Sequence, residues 1–193
     1  MPDYSPKVPF EQVLTSGNYQ NEKAAVDRLK TLLTMMGSFN VCQEVTGDYE
    51  YMPHYKDFKS PRIDFLLLPT KTFIESGWNL GAIGIECKRS DTKIGKALSQ
   101  IMDYSRAVFR HPTAKVLIKP DYIFLWPCEK VHGDIASLMA QNRFGSVCES
   151  YQDQPYHCIN FYCGESRVFK YEFQGKKLDI NDKLNIGKRV GSR

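Results

Sequence analysis

The triplet Glu86-Cys87-Lys88 places a carboxylate and an amine at the end of an otherwise apolar run. The preceding residues, Gly81-Ala82-Ile83-Gly84-Ile85, are typical of a buried strand, in which alternate side chains point to opposite faces. Glu86 and Lys88 therefore share one face. Burying either charge alone would cost free energy, so the pair needs partners or a ligand.

Two other acid-x-lysine triplets occur in the chain, so the pattern alone is not specific. Asp57-Phe58-Lys59 lies in a polar stretch without a strand pattern. Asp91-Thr92-Lys93 follows the apolar run, where Asp91 is interpreted as the N-cap of the next helix.

A second acid lies in a similarly apolar setting. Asp64 is surrounded by the most hydrophobic stretch of the chain, Ile63 to Leu68. An ion pair with Arg62 or Lys88 is one explanation. If the two strands are neighbours, however, Asp64 and Glu86 converge, and a divalent cation is the natural way to hold both carboxylates ionised.

A third acid begins the first helix, which is predicted from Asn21 to Gly37. On a helical wheel Glu22 points along the centre of the apolar stripe that contains Val26, Leu29 and Leu33. Glu22 could instead be a first-turn acid stabilised by the helix dipole.

A second helix is predicted over residues 93–109. Lys93, Ala97, Gln100 and Tyr104 share one flank beside its apolar stripe, with Gln100 and Tyr104 one turn apart. An ordinary polar border of an amphipathic helix would look the same.

The predicted elements that position these residues form one domain. The 193 residues are enough for a single core, and no apolar run approaches the length of a membrane span. The order is helix, three strands, helix, strand, helix and two strands, which predicts a mixed α/β domain over residues 1–174. Residues 175–193 carry the whole net charge of +4 and are predicted to be a basic tail.

Six cysteines occur without any C-x-x-C pair and without a visible secretory signal. They are interpreted as reduced core residues, which favours the cytoplasm.

Taken in order, these positions resemble the PD-(D/E)xK nuclease superfamily, in particular its RecB-like and Holliday-junction-resolvase-like branches. The resemblance covers residues 21–104 and includes Gln100 to Tyr104 as a Q-x-x-x-Y signature. Ile63 replaces the proline that names the motif. The resemblance implies a restriction-endonuclease-like fold, with a mixed sheet core flanked by helices.

The resemblance also implies roles for individual residues. Mg²⁺ or Mn²⁺ would be bound by Asp64, Glu86 and the Cys87 carbonyl, with Glu22 acting through water or at a second site. Lys88 would position or help to deprotonate the attacking water. The implied contacts to the DNA backbone come from Gln100, Tyr104, Lys93 and Lys96.

The expected function is therefore a metal-dependent deoxyribonuclease, an endonuclease rather than an exonuclease. It would act in repair, recombination or phage DNA processing, in a bacterial or phage-infected cell, with no membrane association and with room for a homodimer. One alternative is a nucleic-acid-binding module that retains the nuclease fold without cleaving. Another is an α/β protein whose charged strand ends form structural ion pairs.

Cas4-like relatives also carry an iron–sulfur cluster bound by one early cysteine and three late ones. Cys42, Cys148, Cys158 and Cys163 resemble that ligand pattern loosely, but the interpretation as buried thiols is favoured.

Overall fold

The computed structural model describes residues 19, 21–50, 60–152 and 156–181. The helices of this part of the chain are α1 (Glu22–Met36), α2 (Lys71–Glu75), α3 (Ile94–Tyr104) and α4 (Gly133–Gln141). The strands are β1 (Phe39–Tyr49), β2 (Arg62–Pro69), β3 (Ile83–Cys87), β4 (Ala107–Arg110), β5 (Leu117–Ile118), β6 (Tyr122–Trp126), β7 (Phe144–Gln152), β8 (Tyr156–Cys163), β9 (Ser166–Glu172) and β10 (Lys177–Ile180). None of these helices has the length and apolar character needed to cross a bilayer.

All the described strands belong to one mixed sheet, in the order β10-β9-β8-β7-β6-β3-β2-β1-β4-β5. The β3–β6 and β6–β7 pairs are parallel, whereas the other neighbours are antiparallel. The predicted α/β class with a mixed sheet is confirmed. β3 lies in the middle of this sheet, and all five of its residues are buried.

Helices cover both faces of the sheet. On one face, α1 and α2 pack with side chains of the central strands and with a group of aromatic rings that includes Phe39, Phe73, Trp78 and Phe169. On the other face, α3 and α4 pack against Ile63, Leu66 and Leu125. Side chains alternate between the two faces along β3. Its residues Ile83, Ile85 and Cys87 belong to the first of these cores.

Local signals set the ends of α1. The side chain of Asn21 caps the helix by accepting a hydrogen bond from the Ala24 N–H at 2.8 Å. Gly37 ends it in the left-handed conformation, with φ +62°. Both predicted ends are confirmed. The indole N–H of Trp126 on β6 also donates to the Ala25 carbonyl at 2.8 Å, which fixes the first turn of the helix against the sheet.

The second helix is shorter than predicted. α3 ends at Tyr104, and the remaining residues form β4, in which Ala107 and Phe109 are buried in alternation. β4 pairs with the end of β1, and this long-range pairing overrides the local helical periodicity. The expected N-cap is also wrong, because α3 is preceded by Lys93 whereas Asp91 pairs with Arg89.

Regular structure continues past Gly175, where the sequence predicted the basic tail to begin. β10 pairs with β9 between Lys177 and Ile180. A strand of four residues is too short to be recognised from the sequence pattern. Residues 182–193, which make up most of the predicted tail, lie outside the described residues. The two strands predicted after the last helix are confirmed as β8 and β9, which form a hairpin around Gly164.

Candidate metal centre

Three carboxylates from three elements meet at one end of β3. One oxygen each from Glu22, Asp64 and Glu86 lies within 4.8 Å of the other two. In the described part of the chain this is the only group of three or more histidine, cysteine or acidic side chains arranged in this way. The predicted convergence of the three acids is confirmed, and their role as metal ligands stays a prediction.

The register of the sheet explains why Asp64 and Glu86 converge. β2 and β3 pair Phe65 with Ile85, and one further step in this antiparallel register places Asp64 opposite Glu86. The carboxylate of Asp64 accepts a hydrogen bond from the Cys87 N–H at 2.7 Å. Burial nevertheless raises the pKa of Asp64, an effect that this N–H and the Lys88 ammonium only partly oppose.

Glu86 is the most buried member of the group, at 3% exposure. Its Oε1 accepts hydrogen bonds from Lys88 Nζ at 2.5 Å and from Gln100 Nε2 at 2.6 Å. Its Oε2 is buried and has no hydrogen-bond partner among the described residues. Burial and the neighbouring Asp64 raise the pKa of Glu86 to about 7, so the metal-free site resists carrying both negative charges.

Lys88 supplies the cation of the site. Its ammonium lies 3.0 Å from Glu22 Oε1 as well as against Glu86. Its side chain is only 13% exposed, and burial acts to lower the pKa of Lys88, but Glu86 and Glu22 raise it above its usual value. Lys88 is therefore held as an ammonium ion, which suits charge neutralisation better than deprotonation of a water.

Gln100 and Tyr104 lie one turn apart on α3 and beside β3, as the sequence predicted. Gln100 Nε2 donates to Glu86 and to the Tyr104 hydroxyl at 2.5 Å, and that hydroxyl donates to the Arg62 carbonyl at 2.7 Å. The amide nitrogen of Gln100 and the hydroxyl of Tyr104 are thus directed to the protein. Tyr104 is 6% exposed, and burial raises its pKa, so it remains a neutral phenol.

Two cavities meet at this site and share Glu22, Lys88 and Gln100 in their walls. The first, of about 560 Å³, lies at the start of α3 and is also lined by Arg89, Asp91, Thr92, Lys93 and Lys96. The second, of about 960 Å³, reaches Asp64, Glu86 and Tyr104. The predicted residues Lys93 and Lys96 therefore lie on the basic side of one continuous cleft. Arg89 belongs there too, and the sequence analysis did not select it.

Comparisons of the chain with protein-family models, with curated proteins and with solved structures found no match. The functional inference therefore depends on the chemistry of the site itself.

The residues of the site fit a hard divalent cation. Mg²⁺ and Mn²⁺ prefer oxygen ligands, and the group offers three carboxylates beside the backbone of Cys87. A buried carboxylate oxygen without a partner is costly unless something binds it, and Glu86 Oε2 is such an atom. Asp64, Glu86 and Glu22 would hold the ion through their side chains, and Cys87 could contribute its carbonyl.

The cysteines form no comparable group. All six are free thiols, and Cys163 packs in the core on the α1 face. Burial raises the pKa of Cys128 and Cys148, which keeps them protonated and inert. Among the described residues, the interpretation as buried thiols fits better than a cluster site.

A buried ion-pair network on the α1 face gave no recognisable sequence signal. Glu149 on β7 is paired with Arg28 on α1, and its Oε1 lies 2.5 Å from Nε2 of His157 on β8. It ties the helix that carries Glu22 to the sheet. The three residues are scattered over 130 positions of sequence, so no motif could reveal them.

Proposed function

We propose that this chain is a divalent-metal-dependent nuclease of the PD-(D/E)xK type that hydrolyses phosphodiester bonds in DNA. The observation that carries the proposal is Glu86, whose buried Oε2 has no hydrogen-bond partner in the described part of the chain. Glu86 lies in a group with Asp64 and Glu22, and its carboxylate contacts the ammonium of Lys88. A purely structural ion pair would not need a third acid and would not leave a buried carboxylate oxygen unsatisfied.

When bound, a divalent cation supplies Lewis acidity toward the phosphodiester and lowers the pKa of the attacking water. Asp64 and Glu86 hold the ion from two neighbouring strands, and Glu22 completes the group from α1. Lys88 neutralises the charge that develops on the phosphate oxygens, because its ammonium already lies between Glu86 and Glu22.

Phosphate binding is assigned to the basic side of the cleft. Arg89, Lys93 and Lys96 line the cavity beside the metal group, and their charges would attract the DNA backbone independently of its sequence. An endonuclease of restriction-endonuclease-like fold is the form we favour over an exonuclease. The six free thiols suit a reducing compartment, and we assign the protein to the cytoplasm of a bacterial or phage-infected cell.

A cleavage assay tests the proposal directly. Supercoiled plasmid, linear duplex and branched DNA are incubated with the protein in Mg²⁺, Mn²⁺ or EDTA. Glu86→Ala and Lys88→Ala should lose at least a hundredfold in rate. Glu75→Ala and Lys71→Ala are matched controls, because these residues form an exposed ion pair on α2 and should leave the rate unchanged.

The outcomes separate the alternatives. Nicking of plasmid supports an endonuclease, whereas degradation only from ends supports an exonuclease. Cleavage that persists in EDTA, or in the Glu86→Ala variant, would refute the mechanism. Tight DNA binding without any cleavage by the wild-type protein would favour the non-catalytic binding module.

A further inference from the structure

A chain of hydrogen bonds connects the start of β2 to Glu86 through α3. The Tyr104 hydroxyl donates to the Arg62 carbonyl at 2.7 Å and accepts from Gln100 Nε2 at 2.5 Å. The same Gln100 nitrogen donates to Glu86 Oε1 at 2.6 Å. The chain therefore runs from a fixed backbone group to one oxygen of the candidate metal-binding carboxylate.

The donors of this series of hydrogen bonds are fully used. A primary amide carries two N–H groups, and Gln100 commits one to Glu86 and the other to Tyr104. The Tyr104 hydroxyl has a single hydrogen, which the Arg62 carbonyl takes, so its oxygen is left to accept. This direction obliges Gln100 to present its nitrogen, and never its oxygen, to Glu86.

The result is an asymmetric carboxylate. Both donors that reach Glu86, Lys88 and Gln100, act on Oε1, while Oε2 is left without a hydrogen bond among the described residues. Hydrogen bonds to a ligating carboxylate fix its orientation and tune its affinity for the ion. Here they would fix Oε2 as the oxygen that a cation uses.

We propose that Gln100 and Tyr104 are positioning residues that orient Glu86 for a divalent cation, rather than contacts to the DNA backbone. This inference rests on the proposed function, because it requires that the acidic group binds a metal. It replaces the substrate-binding role that the sequence resemblance implies. Gln100 acts directly on Glu86, and Tyr104 holds the amide of Gln100 in place.

The test measures metal binding and DNA binding separately. Mn²⁺ affinity is measured by isothermal titration calorimetry without DNA, and DNA affinity by fluorescence anisotropy in EDTA. Gln100→Met keeps the length of the side chain but removes the donor. We expect it to weaken Mn²⁺ binding by about tenfold, the usual effect of losing a residue that orients a ligand, and to leave DNA affinity within twofold.

Tyr104→Phe is a milder variant that preserves the packing of the ring. It should weaken Mn²⁺ binding severalfold, and the double variant should be no weaker than Gln100→Met alone, because Tyr104 acts through Gln100. Lys96→Ala is the reciprocal control, with reduced DNA affinity and unchanged Mn²⁺ affinity. Circular dichroism and thermal melting report whether each variant is folded.

Each result is decisive. If both variants bind Mn²⁺ like the wild-type protein but lose DNA affinity, the positioning role is wrong and the substrate role is correct. If the losses of the two variants add in the double variant, the relay through Gln100 is wrong. If the wild-type protein binds no Mn²⁺ at all, the proposed function itself fails and this inference fails with it.

Discussion

Raising the pH in the absence of divalent cations should destabilise the fold, because Glu86 must then carry its charge in a buried position. Burial and the nearby Asp64 raise the pKa of Glu86 from 4.5 to about 7. Between these values the folded chain keeps a proton that the unfolded chain has already released. The free energy of unfolding therefore falls as the pH rises.

The size of the effect follows from the shift. Each pKa unit corresponds to about 1.4 kcal/mol, so the penalty should grow from pH 4.5 and approach about 3 kcal/mol above pH 7. Asp64, whose pKa is also raised by burial, acts in the same direction at lower pH. The Lys88 ammonium adds no slope here, because its pKa lies above its usual value and it stays protonated throughout.

The assay is urea unfolding in EDTA between pH 5 and pH 8, followed by the fluorescence of the buried Trp78 and Trp126. Glu86→Gln removes the titrating group, so subtracting its free energy of unfolding from that of the wild-type protein isolates the contribution of Glu86. That difference should fall by about 2.5 kcal/mol between pH 5 and pH 8. Glu75→Gln, an exposed control on α2, should follow the wild-type protein at every pH.

Adding Mg²⁺ at pH 8 should restore stability to the wild-type protein, by about 2.7 kcal/mol at a hundred times the dissociation constant, and not to Glu86→Gln. A difference that does not change with pH would show that burial of Glu86 has no cost. A Glu86→Gln variant that is less stable than the wild-type protein at pH 8 would show that Glu86 is a structural ion-pair partner. Either result would refute the reasoning.

Three further predictions concern other parts of the site. Asp64→Asn should lower the cleavage rate at least a hundredfold and weaken Mg²⁺ binding in calorimetry, while the melting temperature of the metal-free protein is unchanged or higher. The double variant Lys93→Ala/Lys96→Ala should reduce the slope of log DNA affinity against log salt concentration by about 2 and leave the melting temperature unchanged. An unchanged slope would mean that the DNA binds elsewhere. Trp126→Phe removes the indole N–H that donates to the Ala25 carbonyl and should cost about 1–2 kcal/mol in urea unfolding, whereas a neutral effect would mean that this bond does not fix α1.

The ends of α1 and the convergence of the acids were predictable because their signals are local. Asn21 and Gly37 are a strong N-cap and a strong helix stop. The strand pattern around Asp64 and Glu86 gives the face of each side chain, and pairing of two adjacent strands then brings the carboxylates together. Neither step needs information from distant parts of the chain.

The remaining features depend on long-range pairing. Residues 107–109 fall within the predicted second helix, but in the structure their strand pairs with the far end of β1. The parallel insertion of β6 beside β3 has no local signal either, although it supplies the Trp126 carbonyl that binds the Lys88 N–H at 2.7 Å. The direction of the Gln100 amide depends on hydrogen-bond partners that only the folded arrangement reveals.

Two of the three acids lie on strands and the third lies on a helix, and this difference bears on which ions the pocket would accept. Asp64 and Glu86 lie on adjacent strands. The separation of these strands, about 4.8 Å, is set by the backbone and does not adjust to a bound ion. Glu22 begins a helix, and its side chain is 51% exposed. Oxygens on opposite sides of one Mg²⁺ are only about 4.2 Å apart, so a group spanning up to 4.8 Å must contract slightly. If the group binds a cation, that adjustment falls to Glu22, so the more rigidly held pair on β2 and β3 would set the range of ion sizes that the pocket accepts.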